Sequence, residues 1–527
     1  MTEKNLSESI QDEQKQYLSK VTKEAGYAFT GKIFGLLFGF VAQAVLARLL
    51  GADILGVYVL GWTVVFGVTI LTTLGFEQSL VRYMSEYHSS GRPHEARAVF
   101  LLSLRLSMVA AVVGTIIIVL LRTPLAYRVF HEYRMERVLL WIALAVIPFN
   151  LMRILSASLR SLKDVRSFVL GFDVSHRVFR FVLFIALYYM GLRLYGIVGA
   201  AIGATFLSAG LLAFFLWRRD PFLFNRRVAT APPIPKKDIV VYSSAMLTDC
   251  FLAFAMQHSG RIVIGIFLTS ADVGVYNVAA LLGLLVMLVR MSFVTIFAPV
   301  ISDLYHRDRL DLLRPLYRSV TRWTIILSLP IYIWIIVAGE ATLGIFGQEF
   351  VRGYDTLLLL STGLMIAVCT GPMGASLAMT GYQKWNVYNA AALAVISVGL
   401  NVVFVPRMGV TGAGLAVGLG HALVNIARLV QVRFLLKISP YDRSTLKVAA
   451  TAAISLVLAL VARHYLVIPA GIEWPFVTAV ASVVVVTVLT IAMGVKEEDK
   501  LVLATVLRKV RRSGSGEQDG HSQGRGI

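Results

Sequence analysis

Fourteen apolar runs, most of them close to bilayer length, follow one another along the chain. They cover residues 27–50, 57–80, 98–121, 138–159, 168–189, 195–217, 239–268, 273–301, 320–338, 357–379, 387–405, 409–430, 448–465 and 475–493. A helix that crosses a bilayer needs about 20 predominantly apolar residues, so each run reads as one transmembrane span. Strands of a membrane barrel would be about 10 residues long with alternating polarity, which these runs are not. The pattern predicts an all-α integral membrane protein of about fourteen helices.

Composition supports that reading. Hydrophobic residues make up 57% of the 527 residues, charged ones 15%, and the mean hydropathy is +0.74. Soluble chains sit near 45–50% apolar and about 25% charged, which argues against a soluble enzyme. The net charge is +20 (50 − 30), and its distribution fits the enrichment of Lys and Arg in cytoplasmic loops rather than nucleic-acid binding. Arg218, Arg219, Arg226, Arg227, Lys236 and Lys237 follow span 6. Arg307, Arg309, Arg314 and Arg318 follow span 8, and Arg433, Lys437, Arg443 and Lys447 follow span 12. The alternate loops are nearly bare. Even-numbered loops and both termini are therefore expected in the cytoplasm of a multi-pass inner-membrane protein. The loop after span 3 disagrees, because it carries Arg122, Arg128, Arg134 and Arg137, partly offset by Glu132 and Glu136. Two cysteines, Cys250 and Cys369, both in apolar stretches, leave no disulfide framework or zinc site to expect.

An internal repeat organises the spans. Gly56-Val57-Tyr58 opens span 2 and Gly274-Val275-Tyr276 opens span 8, 218 residues later (274 − 56). Gly196-Ile197-Val198-Gly199-Ala200 and Gly409-Val410-Thr411-Gly412-Ala413 open spans 6 and 12, 213 residues apart (409 − 196). Six helices repeated in tandem keep their orientation, so two similar lobes related by an axis along the membrane normal are expected, with a site between them. The expected division is an N-terminal segment 1–26 without an apolar core, an N-lobe 27–217, a basic linker 218–238, a C-lobe 239–432, a helix pair 433–494 and a cytoplasmic tail 495–527. The tail holds a short basic amphipathic stretch, 501–512, before a Gly/Ser-rich end.

No Walker loop, dinucleotide-binding turn, paired-histidine metal motif or nucleophile elbow occurs, and the loops are too short for a catalytic domain. A transporter without cofactor or metal is expected. What stands out is charge inside apolar spans, where it is expensive and faces a cavity or a partner. Asp173, His176, Arg177 and Arg180 lie at i, i+3, i+4 and i+7 in span 5 and share one helical face. Either they form a structural pair that helps the helix pack, or they make a cationic wall for phosphate groups, which guanidinium forks suit. Span 7 adds Asp249, Gln257, His258 and Arg261, span 1 Lys32 and span 8 Arg290. Asp173 and Asp249 are the two acids placed well inside and are the candidates for coupling to an ion. Arg48, Arg105 and Arg153 are expected to snorkel, Glu77 to pair with Arg82 at the interface, and His421 and Asn425 to bond between helices.

The stretch Ala47-Arg48-Leu49-Leu50-Gly51-Ala52, followed by Gly56-Val57-Tyr58, Leu74-Gly75-Phe76-Glu77 and Arg82-Tyr83, resembles the first two helices of bacterial polysaccharide flippases. These are the polysaccharide-biosynthesis, O-antigen flippase-like branch of the multidrug/oligosaccharidyl-lipid/polysaccharide (MOP) exporter superfamily. Residues 261–276 resemble the start of that family's second lobe, and the likeness covers about residues 20 to 495. It implies two six-helix lobes in a V, a C-terminal helix pair, and alternating access that carries a polyprenyl-diphosphate-linked oligosaccharide outward. Membrane lipids, a polysaccharide polymerase and glycosyltransferases are the implied partners, nucleic acid is not, and the chain is expected to act as a monomer. Members often carry an acid just before the position of Arg261, where this chain has Gly260. A lipid II flippase and an ion-coupled multidrug antiporter of the same superfamily are the alternatives; the basic excess inside the spans speaks against the second.

Overall fold

The computed structural model describes residues 3–225, 234–441, 443–465 and 473–492. Arg226, Arg227, the amphipathic stretch 501–512 and the Gly/Ser-rich end lie outside these residues. Every regular element among the described residues is helical. Among the described residues, nine helices are long and apolar enough to cross a membrane, or ten if the pair Ser270–Gly283 and Leu285–Thr295, bent by 44°, counts as one span. By length and composition these are the helices of a multi-pass, all-α membrane protein.

The first helix, α1 (Glu3–Thr72), contains spans 1 and 2, because the backbone turns at Gly51 with φ 77° and ψ 167°. A side chain would be strained at that φ, and the glycine joins the two spans without a loop. Leu74 and Gly75 also take positive φ before the chain resumes as helix through Phe76 to Ser89, loosened into a π-turn at Leu80–Met84. Next come α2 (Pro93–Pro124), α3 (Arg134–Ile142), α4 (Val146–Ser161), α5 (Ser175–Tyr189), α6 (Leu194–Arg219), α7 (Lys236–Phe267) and α8 (Ser270–Gly283). Span 5 is broken where the sequence pattern shows an unbroken run: Val165–Phe168 gives way to a π-turn at Val169–Val174 before α5 begins. Asp173 sits in that turn.

The chain divides into two compact units. The first comprises Met1–Leu282, Thr342–Leu360 and Val387–Gly420; the second Gly283–Ala341, Ser361–Asn386 and His421–Ile527. In the first, Phe76, Met84, Phe100, Phe149, Leu155 and Leu212 form the centre of a buried core. α7 runs beside the second half of α1 from one end to the other. Ser79 and Ser243 share a hydroxyl hydrogen bond of 2.6 Å, a β-carbon on Gly67 would press on Phe254 at 2.8 Å, and one on Gly265 would press on Leu60 at 2.5 Å.

The two Gly-Val-Tyr copies meet each other. A β-carbon on Gly56 would collide with the carbonyl of Ser270, and one on Gly274 with the carbonyl of Ala52. Ala52 and Ser270 are themselves 218 residues apart (270 − 52), the offset of the glycines, so the contact repeats across a local pseudo-twofold. Small residues let membrane helices approach this closely. Gly56→Ala is therefore expected to lower stability by about 1–3 kcal/mol, the usual cost of overpacking, read as a drop in melting temperature. Gly210→Ala, in α6 with nothing within 4 Å, should instead hold or gain a few tenths of a kcal/mol from helix propensity.

The remaining helices are α9 (Leu285–His306), α10 (Leu310–Gly344), α11 (Tyr354–Cys369), α12 (Gln383–Met408), α13 (Val410–Leu435), α14 (Arg443–Tyr465) and α15 (Glu473–Ala492). Span 10 is interrupted at Gly371, φ 79°, and Pro372. After that break the short helix Met373–Met379 packs into the second unit's core with Phe297, Leu313, Tyr317 and Val432.

Candidate functional site

The second half of α1 carries Tyr58, Trp62 and Phe66 at i, i+4 and i+8, so their rings line one face. Tyr58 stacks on Trp62 at 6.4 Å between centroids, and Trp62 leans on Phe149 of α4 at 5.3 Å. The imidazole of His176, from α5, stacks against both Trp62 (6.0 Å) and Phe149 (6.1 Å). It is buried, and its Nε2 meets no hydrogen-bond partner among the described residues. One turn on, the Arg180 guanidinium donates to the Tyr58 hydroxyl at 3.4 Å.

Arg177 bends back instead. Its guanidinium donates to the Asp173 carbonyl at 3.0 Å, with the Asp173 carboxylate 3.9 Å away. It lies against Gly35 and Gly39 in the first half of α1, where a side chain on Gly35 would occupy its place. On the other flank of the stripe, Phe66 packs on Phe254 (5.9 Å) and His258 (5.2 Å) of α7, which themselves stack at 4.8 Å. His258 Nδ1 is 2.9 Å from the Arg261 guanidinium, whose Nε is buried and unpartnered among the described residues. An aromatic path thus links the cations of α5 to the cation of α7.

Gly260 has a packing reason. A side chain there would run into the Tyr276 ring, with Tyr276 Cζ 2.6 Å from a β-carbon, so an acid before Arg261 has no room in this arrangement.

Of the residues singled out by sequence, His176 and Arg180 meet this stripe and Arg261 reaches it through His258, while Asp173 and Arg177 pair with each other beside the first half of α1. Gln257 and Asp249 occupy exposed positions of α7. Lys32 lies on the helical backbone of α1, its side chain outside what the structure describes. Arg290 belongs to the second unit, where it donates to the Ala367 carbonyl (3.1 Å) and to Asn425 Oδ1 (3.0 Å). Sequence reasoning missed Tyr58, Trp62, Phe66 and Phe149; the four-residue spacing of the first three was the available signal.

Two pairings differ from expectation. Glu77 takes Arg153 and Arg160 rather than Arg82, and Arg82 lies over the rings of Tyr83 (5.3 Å) and Tyr242 (4.6 Å). Arg153, expected to snorkel, is bound to Glu77 and lies over Phe66 at 5.7 Å. A half-buried carboxylate flanked by two guanidinium groups offers each more than headgroup solvation would.

A second charged group caps the Gly51 end. Arg134 donates to both carboxylate oxygens of Asp53 (2.6 and 2.8 Å) and to both of Glu132 (2.8 Å each). The Ser270 hydroxyl donates to Asp53, and also lies 3.1 Å from Glu132. The Arg134 guanidinium holds the Glu132 carboxyl below its ordinary range, against the opposing effect of burial. Nearby, Glu349 accepts the Ala52 amide at 2.8 Å, Arg48 donates to the Ile345 carbonyl, and Arg352 pairs with Asp272 at 3.1 Å. Of the four arginines in the loop after span 3, two meet acids: two carboxylates neutralise Arg134, and Glu136 lies 3.8 Å from Arg122.

The fold is that of known transporters. The solved lipid II flippase MurJ in its inward closed conformation superposes with a TM-score of 0.70 at 12% identity, covering 88% of this chain and 97% of its own. A multidrug resistance MATE family transporter of the MOP superfamily, in an inward-facing conformation, gives 0.62 at 14% identity, covering 78% and 97%. Among curated proteins, the "Probable low-salt glycan biosynthesis flippase Agl15" of Haloferax volcanii is 24% identical over 165 residues. That stretch is 31% of this chain and 35% of the relative, so the match spans about a third of the relative's length. The family model described as polysaccharide biosynthesis protein matches residues 21–305, which is 285 of 527 residues (305 − 20) and more than half. The chain belongs to the polysaccharide biosynthesis protein family.

Proposed function

We propose that the chain is a flippase that carries a polyprenyl-diphosphate-linked oligosaccharide across the cytoplasmic membrane by alternating access. The observation that carries this reading is the stripe on α1, which joins aromatic faces to guanidinium groups. Sugar rings present C–H faces that pack on aromatic side chains, and a diphosphate offers oxygens to forked donors. Arg180 meets a neutral phenol and Arg261 a histidine, so neither is neutralised by the partner it bonds. Half-buried cations of that kind favour an anion. Arg177, Arg180 and Arg261, with Lys32 from span 1, are the groups assigned to the diphosphate, and Asp173 is the acid nearest to them.

In this reading the lobes 27–217 and 239–432 exchange access between the two sides, and helices 433–494 are an appendage. Both termini face the cytoplasm, which places the Gly51 end, with Arg134, outside. The Agl15 relative is named for glycan biosynthesis and the MurJ neighbour for lipid II, and both are named flippases; a lipid-linked saccharide is the substrate class this reading assigns to the chain.

Complementation of a strain lacking its polysaccharide flippase tests the reading. The wild-type chain should restore surface polysaccharide, and Arg177→Ala and Arg180→Ala should not, at equal membrane levels. Normal export by both variants would end the cationic-site mechanism. Rescue only of a strain lacking its lipid II flippase would move the substrate to the peptidoglycan precursor.

A further inference from the structure

The second unit holds a basic group of its own. Arg428 of α13 lies near the short helix Met373–Met379. A β-carbon on Gly374 would stand 3.7 Å from one of its terminal nitrogens and 3.4 Å from the Asn386 amide oxygen. Among the described residues, the Arg428 Nε is buried without a hydrogen-bond partner, and so is that Asn386 oxygen. Arg290 bonds Asn425 of α13 at 3.0 Å, and His421, Asn425 and Arg428 follow at i, i+4 and i+7, so they share one face of that helix. Among the described residues neither guanidinium bonds a carboxylate.

Arg428 lies 2 residues before the end of span 12 (430 − 428), about 3 Å at 1.5 Å per residue, so it stands at the edge of the membrane with its Nε enclosed by protein. Arg290 is 8% exposed and spends its donors on Asn425 and a carbonyl. These neutral groups orient the cation but do not cancel it. Two guanidinium groups set near one another without an acid favour an anion.

We infer that Arg428 and Arg290, with His421 and Asn386 beside them, form an anion site in the second unit that takes a phosphate group. A guanidinium fork fits two oxygens of a phosphate, and the terminal nitrogens of Arg428, beside Gly374, are where the anion seats. The phosphate belongs to an anionic phospholipid headgroup or to free phosphate, sources that share one chemistry. The site is built from other residues than the α1 stripe and extends the proposed function without replacing it.

The test is the melting temperature of the purified full-length protein in a neutral detergent. It is titrated with inorganic phosphate in one arm and with short-chain phosphatidylglycerol in another, at constant ionic strength. Wild type should gain several degrees in at least one arm, and the responsive arm identifies the source. Arg428→Gln should lose that gain, while Arg177→Ala should keep it even if it no longer exports. Asn386→Asp supplies a carboxylate beside Arg428, so it should raise the starting melting temperature and respond no further. An unchanged response in Arg428→Gln overturns the site. If that variant does not fold, a wild-type response in Asn386→Asp does so equally, as does the absence of any response in wild type. Loss of the response in Arg177→Ala would place the anion on the α1 stripe instead.

Discussion

Arg134→Ala should release the Gly51 end of the first unit and expose the helix contact beneath it. The substitution removes four charge-assisted hydrogen bonds and leaves Asp53 and Glu132 facing a shared serine hydroxyl. Such bonds contribute about 1.5–3 kcal/mol each when shielded, but Asp53 is half exposed, with 49% of its side-chain surface accessible, and solvent reduces the sum. A net bias of about 1–3 kcal/mol is reasonable, equivalent to about 5–150-fold in the open population. The reporter is Leu60→Cys, at a position 1% exposed against Gly265, in a background with Cys250→Ser and Cys369→Ser. A membrane-impermeant maleimide added outside should label it many times faster when Arg134 is alanine, and to an intermediate degree when it is lysine. Equal labelling rates in the presence and absence of Arg134 would show that the charged group does not hold this end closed. Glu132, its carboxyl held below the usual range, contributes its share of closure at pH values above the ordinary carboxyl pKa of about 4.3. That share is lost only as the pH falls through the lower folded value, so labelling of the parent should stay slow across neutral pH.

The fold is largely legible because its strongest determinants are local. A run of about 20 apolar residues reports a span wherever it ends up packing, and the repeated Gly-Val-Tyr marks the place where two helices touch through their backbones. Interruptions are less visible. The π-turn at Val169–Val174 and the break at Gly371 lie inside apolar runs that hydropathy reads as continuous. The cations of α5 are legible from their shared face, and so is Arg261. What surrounds them is not, since partners such as Tyr58 for Arg180 and Trp62 for His176 come from positions more than 100 residues away. Charge pairing fails for the same reason. Proximity along the chain matches Glu77 to Arg82, five residues on, whereas folding presents it with Arg153 and Arg160. Arg290 and Arg261 read alike as midspan arginines, yet one is fixed by Asn425 in the second unit and the other rests on His258 in the first.

Arg261 should be the most sensitive cation on the α1 stripe. Its Nε is buried and unpartnered among the described residues, and a terminal nitrogen rests on His258, so much of its hydrogen-bonding capacity is left unspent by the protein. A charge-assisted bond to a phosphate oxygen contributes about 1.5–3 kcal/mol, and losing it from the transition state slows a step about 10–150-fold. In proteoliposomes loaded with a fluorescent polyprenyl-diphosphate oligosaccharide, Arg261→Gln should slow flipping by that factor. Arg261→Lys should recover part of the rate, because it restores the charge but not the fork. Gly260→Asp separates charge from shape: it would place a carboxylate beside Arg261 while pressing on Tyr276. Gly260→Ala presses on the same ring without the charge. If the guanidinium acts by its free charge, Gly260→Asp should fall to the rate of Arg261→Gln, with Gly260→Ala well above it. Equal rates for the two glycine variants would mean that packing against Tyr276, rather than the cation, governs this end of the stripe.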